Sequence, residues 1–113
     1  MPSDKSEERP WGSFMHFTDN EKSTVKIITV KPGGKLSKQY HHKRDEIWIP
    51  LDDTLTIEVG DASFIPKKGE HILIPRKTSH RVSSEKGGQF IEVSLGHFDE
   101  DDIVRLADVY GRK

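Results

Sequence analysis

Residues 33–46, GGKLSKQYHHKRDE, decide how this sequence can fold. The stretch places an amide, two imidazoles and two carboxyl groups behind a pair of glycines. Gln39 and His41 are two residues apart, so on a strand both side chains face the same side of the sheet. Glu46 would return after a turn on the adjacent antiparallel strand. The stretch therefore predicts a strand, a turn and a second strand that together carry three ligands for a divalent metal ion, Gln39, His41 and Glu46.

A second stretch supplies a fourth ligand. Residues 69–80, GEHILIPRKTSH, open on a glycine, run through an apolar strand and end at His80. Gln, His, Glu and His form a nitrogen and oxygen set that suits zinc, manganese, iron, cobalt or nickel. The sequence has no cysteine, so any metal must be held by nitrogen and oxygen. Trp48 shares the strand parity of Glu46, and we expect it to line the same cavity.

The composition limits the class of protein. A chain of 113 residues fits one domain, and its apolar residues, 32% of the total, fall in short β-branched runs,. A formal net charge of −1 gives no reason to expect a nucleic acid or a membrane surface as partner,. No apolar run approaches the roughly 20 residues that span a bilayer, and the N-terminus lacks the apolar core of a signal peptide. With no cysteine for disulfides, we expect a cytoplasmic protein.

Turn residues divide the chain into about nine short strands. The predicted strands are residues 11–18, 25–31, 36–41, 46–51, 55–59, 63–65, 71–74, 80–83 and 90–95,. Many short strands at this spacing are typical of an all-β barrel or sandwich. Residues 1–9 are charged and aperiodic and are predicted to be a flexible tail before a single domain, residues 10–113. Acidic residues followed by apolar residues at helical spacing predict one short helix over residues 99–107, packed as a cap on the barrel.

The order of the ligands resembles that of the cupin superfamily. The first cupin motif is a glycine, five residues, a metal ligand, one residue, a second ligand, three or four residues and a glutamate. The matching residues are Gly33, Gln39, His41 and Glu46, with Gln in place of the usual first His. The second motif is a glycine, five residues, a proline, a short turn and a His, matched by Gly69, Pro75 and His80. The resemblance implies a cupin-type double-stranded β-helix, or jelly-roll, barrel.

Three longer segments resemble a narrower family over almost the whole chain. They are RPWG at residues 9–12, VKIITVKPGGKLSKQYHH at residues 25–42 and EDDIVRLADVYGR at residues 100–112. All three are similar to the type II mannose-6-phosphate isomerase cupins, including the C-terminal domain of bifunctional mannose-1-phosphate guanylyltransferases. The resemblance implies one divalent metal cofactor, with zinc preferred and manganese, cobalt, nickel or iron as alternatives. With no nucleotidyltransferase domain in the sequence, it implies no nucleotide transfer.

The family activity would be the reversible interconversion of mannose 6-phosphate and fructose 6-phosphate through an enediol. This reaction moves a proton between C1 and C2, and His42 and Glu92 are the candidate bases. We count Arg81 with the catalytic residues, because it directly follows His80 and can hold the phosphate. The candidate substrate-binding residues are Lys43, Arg44 and Trp48.

Three positions depart from the family pattern. Lys43 stands where a third consecutive His is common, Asp53 where a turn glycine is usual, and Lys77 where glycine is frequent. Two other functions remain open: a non-enzymatic sugar-binding or regulatory cupin, and a cupin isomerase or epimerase that acts on a nucleotide-linked sugar. The set of four ligands favours an enzyme over the first, and the lack of a nucleotide-binding element disfavours the second.

The expected partners are a small sugar phosphate and a second copy of the chain. We predict a homodimer, because Trp11 and Phe14 lie in an N-terminal segment that could pair with another subunit. Packing in the core explains these two residues equally well. Neither nucleic acid nor a membrane is expected to bind.

Overall fold

A computed structural model describes residues 6–112, which form twelve β-strands. The strands are β1 Ser6–Arg9, β2 Gly12–Met15, β3 Ser23–Val30, β4 Gly34–Lys35, β5 Lys38–Tyr40, β6 Arg44–Pro50, β7 Thr56–Val59, β8 Ala62–Phe64, β9 Ile72–Ile74, β10 His80–Ser84, β11 Gly88–Gly96 and β12 Val104–Ala107. Every predicted strand overlaps an observed one. The all-β prediction is confirmed.

The three longest strands and the short β9 form a four-stranded antiparallel sheet in the order β3, β11, β6, β9. Trp48 on β6 lies opposite Glu92 on β11, and Glu46 lies opposite Ser94. Residues paired across antiparallel strands point to the same face of a sheet. Two carboxyl groups and an indole therefore project from one face, and this face is turned inwards because all three side chains are buried.

The second sheet has six strands, and β10 is at its centre. Its path runs β12, β5, β10, β7, β8, and β4 also pairs with β10. His80 on β10 lies opposite Gln39 on one side and Val59 on the other. The same-face rule places Gln39 and His80 together on the inner face.

The main core fills the space between the two sheets. Trp48 and Phe90 form its aromatic centre, with ring centroids 5.0 Å apart. Burial of each such large apolar side chain contributes roughly 1.5–3 kcal/mol to folding. The buried members of this cluster are Val30, Trp48, Leu55, Ile57, Ile72, Ile74, Val82 and Phe90.

A second apolar cluster lies on the other face of the four-stranded sheet. Ile47, Val93 and Leu95 are buried there, and Phe17 packs against them. On the neighbouring strand β3, Val25 and Ile27 are 61% and 63% exposed. This outer face is therefore only partly covered.

The C-terminal segment differs from its prediction. The short helix expected over residues 99–107 is wrong: Val104–Ala107 form strand β12, which pairs with β5. Tertiary pairing overrides the local helical pattern here, because the free edge of β5 offers backbone partners to the β-branched Val104. Among the described residues no helix has the length and apolar character that crossing a membrane requires.

The N-terminal segment also differs from its prediction. Residues 1–9 are expected to be a flexible tail; residues 1–5 lie outside the described residues, and Ser6–Arg9 form strand β1, which pairs with β2. Side-chain contacts support this hairpin: Arg9 lies 4.9 Å from the centre of the Phe14 ring, and Trp11 stacks on the same ring at 6.4 Å. The hairpin β1–β2 pairs with no other described strand.

Both ligand-bearing stretches depend on turns with positive φ. Gly33 and Gly69 have φ angles of 77° and 83°, which glycine adopts at no steric cost,. Lys77, at the position where the family often has glycine, has a φ of 63°. This left-handed conformation lets the Lys77 backbone N–H donate to His41 O at 2.6 Å. This hydrogen bond joins the stretch of residues 69–80 to the stretch of residues 33–46.

Candidate metal centre

Three predicted ligands meet between the two sheets. His41, Glu46 and His80 each offer one ligating atom, and these atoms all lie within 4.8 Å of one another. The Nε2 of His41 is 3.5 Å from Glu46 Oε2, and the Nε2 of His80 is 3.8 Å from Glu46 Oε1. None of the three side chains is more than 3% exposed. The β5–β6 turn, β6 and β10 thus converge on one buried point.

Hydrogen bonds at the far ring nitrogens fix how both imidazoles face this point. His41 Nδ1 lies 2.6 Å from the carbonyl oxygen of Asp102, and His80 Nδ1 lies 3.0 Å from that of Thr78. A carbonyl oxygen only accepts, so we infer that each Nδ1 carries the hydrogen and each Nε2 presents a lone pair. Metal-bound histidines are oriented in the same way.

The chemistry of these atoms fits a divalent cation. His80 Nε2 is buried and has no hydrogen-bond partner among residues 6–112. Burial, the largest effect, lowers the pKa of His80, so the ring is neutral rather than an imidazolium paired with Glu46,. The lone pair of His80 Nε2 lies 3.8 Å from the Glu46 carboxylate, and a cation between these two groups would satisfy both. Two His and one Glu are also a common ligand set for zinc.

Gln39, the fourth predicted ligand, lies beside this group. It is opposite His80 in the sheet, on the same inner face,. Its Oε1 accepts a hydrogen bond from Ser37 Oγ at 2.7 Å. The structure thus brings three predicted ligands together and holds the amide of the fourth on the adjacent strand.

Arg44, predicted to bind substrate, lies inside the centre. Its Nε donates to Glu46 Oε2 at 2.9 Å, and its Nη2 is 3.3 Å from His41 Nε2. A third group, Nη1, donates to the carbonyl oxygen of Asp99 at 3.0 Å. Only 6% of the Arg44 side chain is exposed. A buried cation of this kind offsets the charge of the Glu46 carboxylate and fixes its orientation.

Trp48 and Glu92 lie opposite each other on β6 and β11, on the same sheet face as Glu46,. Trp48 Nε1 donates to Glu46 Oε1 at 3.1 Å, and its ring meets the edge of His80 at 5.2 Å. Burial, followed by the negative charge of Glu46, raises the pKa of Glu92 to about 7,. Ser94 Oγ donates to Glu92 Oε1 at 3.3 Å. Trp48 therefore contacts Glu46 and His80, and Glu92 is a second buried carboxyl group, with a pKa near neutral pH.

Three predicted site residues lie outside the centre. His42 is exposed, and its ring packs against Tyr40 at 5.3 Å. Lys43 is also exposed. Arg81 donates through Nε to the carbonyl oxygen of Leu36 at 2.9 Å and through Nη2 to that of Ala107 at 3.1 Å. Arg81 therefore joins β12 to the barrel.

Residues 97–102, here called the cap segment, contribute contacts that the sequence did not reveal. The Asp102 carbonyl holds His41, and the Asp102 carboxylate accepts hydrogen bonds at 3.0 Å from the backbone N–H groups of His42 and Lys43. The ring of Phe98 lies against Arg44. The acidic run in this segment was the available signal, and its helical spacing pointed to a different structure.

Solved structures with the same fold define the class of protein. An RmlC-like cupin from Shewanella frigidimarina NCIMB 400 superposes with a TM-score of 0.62 at 15% identity and covers 77% of this chain and 75% of that chain. The capsular polysaccharide assembling protein CapF from Staphylococcus aureus gives a TM-score of 0.68 at 19% identity, over 96% of this chain and 33% of that chain. The fold, two facing antiparallel sheets, is that of a cupin.

Sequence relatives narrow this class to one family. The family model described as mannose-6-phosphate isomerase C-terminal matches residues 3–108. The alginate biosynthesis protein AlgA from Pseudomonas aeruginosa is 41% identical over 107 residues, which are 92% of this chain and 22% of that protein. A mannose-1-phosphate guanylyltransferase from Escherichia coli (strain K12) is 38% identical over 109 residues, with the same two coverages of 92% and 22%. The chain belongs to the mannose-6-phosphate isomerase C-terminal family and spans about a fifth of the length of these curated relatives.

Proposed function

We propose that the chain is a metal-dependent isomerase that interconverts mannose 6-phosphate and fructose 6-phosphate through an enediol. The observation that supports this most is the buried cluster of His41, Glu46 and His80, in which His80 Nε2 has no hydrogen-bond partner among the described residues. A second buried carboxyl group, Glu92, lies on the next strand. Metal ligands and an acid–base group on one inner face are what an aldose–ketose isomerase needs.

His41, Glu46 and His80 would hold the ion, with Gln39 as the fourth ligand. When bound, a divalent ion, with zinc preferred and manganese, cobalt, nickel or iron as alternatives, supplies a Lewis acid that stabilises negative charge on a substrate oxygen. Arg44 and Trp48 keep Glu46 in place by donating to its two oxygens. The buried walls of the centre exclude bulk water from the reacting carbons.

Glu92 is the group we assign to proton transfer. As a carboxylate it takes the proton from C2 of mannose 6-phosphate, and as the resulting acid it returns a proton to C1. The hydroxyl proton on the C2 oxygen passes to the C1 oxygen, which completes the exchange of the alcohol and carbonyl groups. A pKa of about 7 suits both directions, because neither protonation state is then rare at neutral pH,. His42, the other predicted base, is exposed and packs on Tyr40, so geometry favours Glu92.

The proposed assembly is a homodimer in the cytoplasm. The hairpin β1–β2 pairs with no other described strand, and a lone two-stranded hairpin is marginally stable in water,. Trp11, at its turn, is 74% exposed. Strand β3 is an edge strand with Val25 and Ile27 exposed, so a second copy would find both a free edge and an apolar surface. The absence of cysteine agrees with a reducing compartment,.

The test is a coupled assay for fructose 6-phosphate formed from mannose 6-phosphate. The protein is stripped of metal and then resupplied with zinc, manganese, cobalt, nickel or iron in turn. Turnover that is lost on stripping and restored by an ion supports the proposal, and Glu92→Gln should remove that turnover while metal is still bound. Metal binding without turnover on this substrate would contradict it and favour a sugar-binding cupin.

A further inference from the structure

A second cation, Lys26, lies on the same sheet face as Glu46 and is partly exposed to solvent,. Lys26 on β3 is opposite Glu92 on β11, so its side chain extends from the inner face of the four-stranded sheet,. Lys26 Nζ lies 4.4 Å from the centre of the Phe98 ring, and the Arg44 guanidinium carbon lies 4.8 Å from the same ring. Two cations of the inner surface therefore meet at one aromatic side chain of the cap segment.

The charged side chains form a path from the metal ligands to solvent. Glu46 is 1% exposed and its partner Arg44 is 6% exposed. Lys26 is 33% exposed, and Glu100, in the cap segment, is 75% exposed. The positive charge of Lys26 also acts on Glu92, where it opposes the rise in pKa caused by burial. Lys26 is thus close enough to the proposed base to influence it and still reaches water.

The cap segment provides an oxygen acceptor to each of these cations. Glu100 Oε1 lies 3.1 Å from Lys26 Nζ, and the Asp99 carbonyl oxygen accepts from Arg44 at 3.0 Å. The Glu100 carboxylate therefore marks a position where an anion contacts Lys26. A phosphate monoester carries more charge and more acceptor oxygens than a carboxylate, so it can replace Glu100 at an exposed lysine.

We propose that Lys26 binds the phosphate of the substrate and that Glu100 occupies this position until the phosphate replaces it. The inference rests on the proposed function for the identity of the sugar phosphate and adds the residue that recognises it. With the phosphate bound to the partly exposed Lys26, the carbon chain of the sugar extends inwards, towards Glu92 and the metal ligands. Arg81, an earlier candidate for the phosphate, is bonded to backbone carbonyls on the outside of the barrel.

Binding is measured without turnover, by titrating labelled, metal-loaded protein with mannose 6-phosphate and with mannose while following backbone amide resonances. Mannose 6-phosphate should shift the amides of Lys26, Phe98 and Glu100, and mannose should leave them unchanged. Lys26→Ala should weaken the binding of mannose 6-phosphate about tenfold, the value of one charge-assisted contact. Lys31→Ala is the matched control, because it removes an equal charge from the exposed residue that follows β3 and should have no effect. Equal affinity in the Lys26→Ala and Lys31→Ala proteins would overturn the inference.

A second variant tests the exchange at an exposed position where folding is not at risk. Glu100→Gln removes the competing charge and should tighten mannose 6-phosphate binding about threefold; unchanged or weaker binding would overturn the exchange. The inference and the proposed function fail separately. Phosphate binding that depends on Lys26, without isomerisation, supports the inference and refutes the isomerase. Turnover with an unchanged KM in the Lys26→Ala protein supports the isomerase and refutes the inference.

Discussion

Arg44 and Glu46 form a buried ion pair, with Arg44 Nε 2.9 Å from Glu46 Oε2 and side-chain exposures of 6% and 1%. The two residues are two apart on β6, so both project into the centre,. Arg44 Nη2 also lies 3.3 Å from His41 Nε2, so the guanidinium is close to both groups when no metal ion is bound.

Replacing the Arg44 guanidinium by an uncharged side chain should destabilise the metal-free protein strongly. Arg44→Met leaves the Glu46 carboxylate buried without its partner, and the expected loss in free energy of unfolding is about 3 kcal/mol. The exposed pair Arg76–Asp45 is the matched control, and Arg76→Met should lose less than about 1 kcal/mol,. Urea titrations of the two metal-free variants give both values. Losses of similar size would show that the buried pair has no special role.

Metal binding should depend on His80 and not on His42. His80→Ala removes one ligand and should lower zinc affinity at least about 100-fold, since the remaining nitrogen and oxygen donors no longer enclose the ion. His42→Ala, an exposed imidazole beside the centre, should keep the affinity of the unchanged protein. Both are measured by competition with a chromophoric chelator, with circular dichroism as the check on folding. Full zinc occupancy in the His80→Ala protein would remove His80 from the ligand set.

Glu92 should make the metal-free protein less stable as the pH rises. Its folded-state pKa, raised from 4.5 to about 7, means that the folded state keeps a proton that the unfolded state releases at lower pH. Its contribution to stability is therefore present below about pH 4.5 and is lost as the pH rises to about 7, by up to about 3 kcal/mol. Glu92→Gln should remove this loss. The measurement is the difference in free energy of unfolding between the two proteins from pH 4.5 to pH 8, and a difference that does not change with pH would be contrary to this account.

Lys77 should be replaceable by glycine with a gain in stability. Its φ of 63° is strained for any residue with a Cβ atom,. Lys77→Gly should therefore raise the free energy of unfolding by about 1 kcal/mol. Lys67, a turn residue without positive φ, is the control, and Lys67→Gly should lose about 0.5–1 kcal/mol because glycine gains freedom in the unfolded chain,. Thermal unfolding should show a gain in stability for the Lys77→Gly protein and a loss for the Lys67→Gly protein.

The proposed dimer should be sensitive to the outer face of β3. Ile27→Glu places a charge on the exposed apolar surface beside the free edge and should shift the protein to monomer in analytical ultracentrifugation,. Ile65→Glu is matched in exposure, at 67% against 63%, and lies away from β3, so it should not change the mass. Dimer in both variants, or monomer in the unchanged protein, would contradict the proposal.

The sequence predicted those features of the centre that follow from strand parity and local motif order. The spacing of Gln39 and His41 and the turn before His80 predicted the inner face on which these side chains lie. The same parity argument places Arg44 and Glu46 on one face of β6. The positive charge of Arg44, however, suggested a residue that binds substrate. A buried ion pair depends on the whole enclosure, which no local pattern describes.

The cap segment could not be predicted for a related reason. Asp102 contacts His41 across 61 positions of sequence, and the acidic and apolar residues around it have the spacing of a helix. Pairing of β12 with β5 decided the conformation, and that pairing depends on an edge that only the folded barrel provides,. The contact between Lys26 and Glu100 could not be predicted for the same reason, because the two residues are 74 positions apart in sequence.

The contact between His41 and Asp102 also has a consequence for the order of folding. Contacts between residues far apart in sequence form late, because the chain between them must first lose its freedom. Strands β3 and β11 pair over separations similar to the 61 positions between His41 and Asp102, so the four-stranded sheet and this hydrogen bond both await the C-terminal part of the chain. A refolding chain should therefore bind zinc tightly only once this part has joined the barrel, because the His41 ring is not oriented before then.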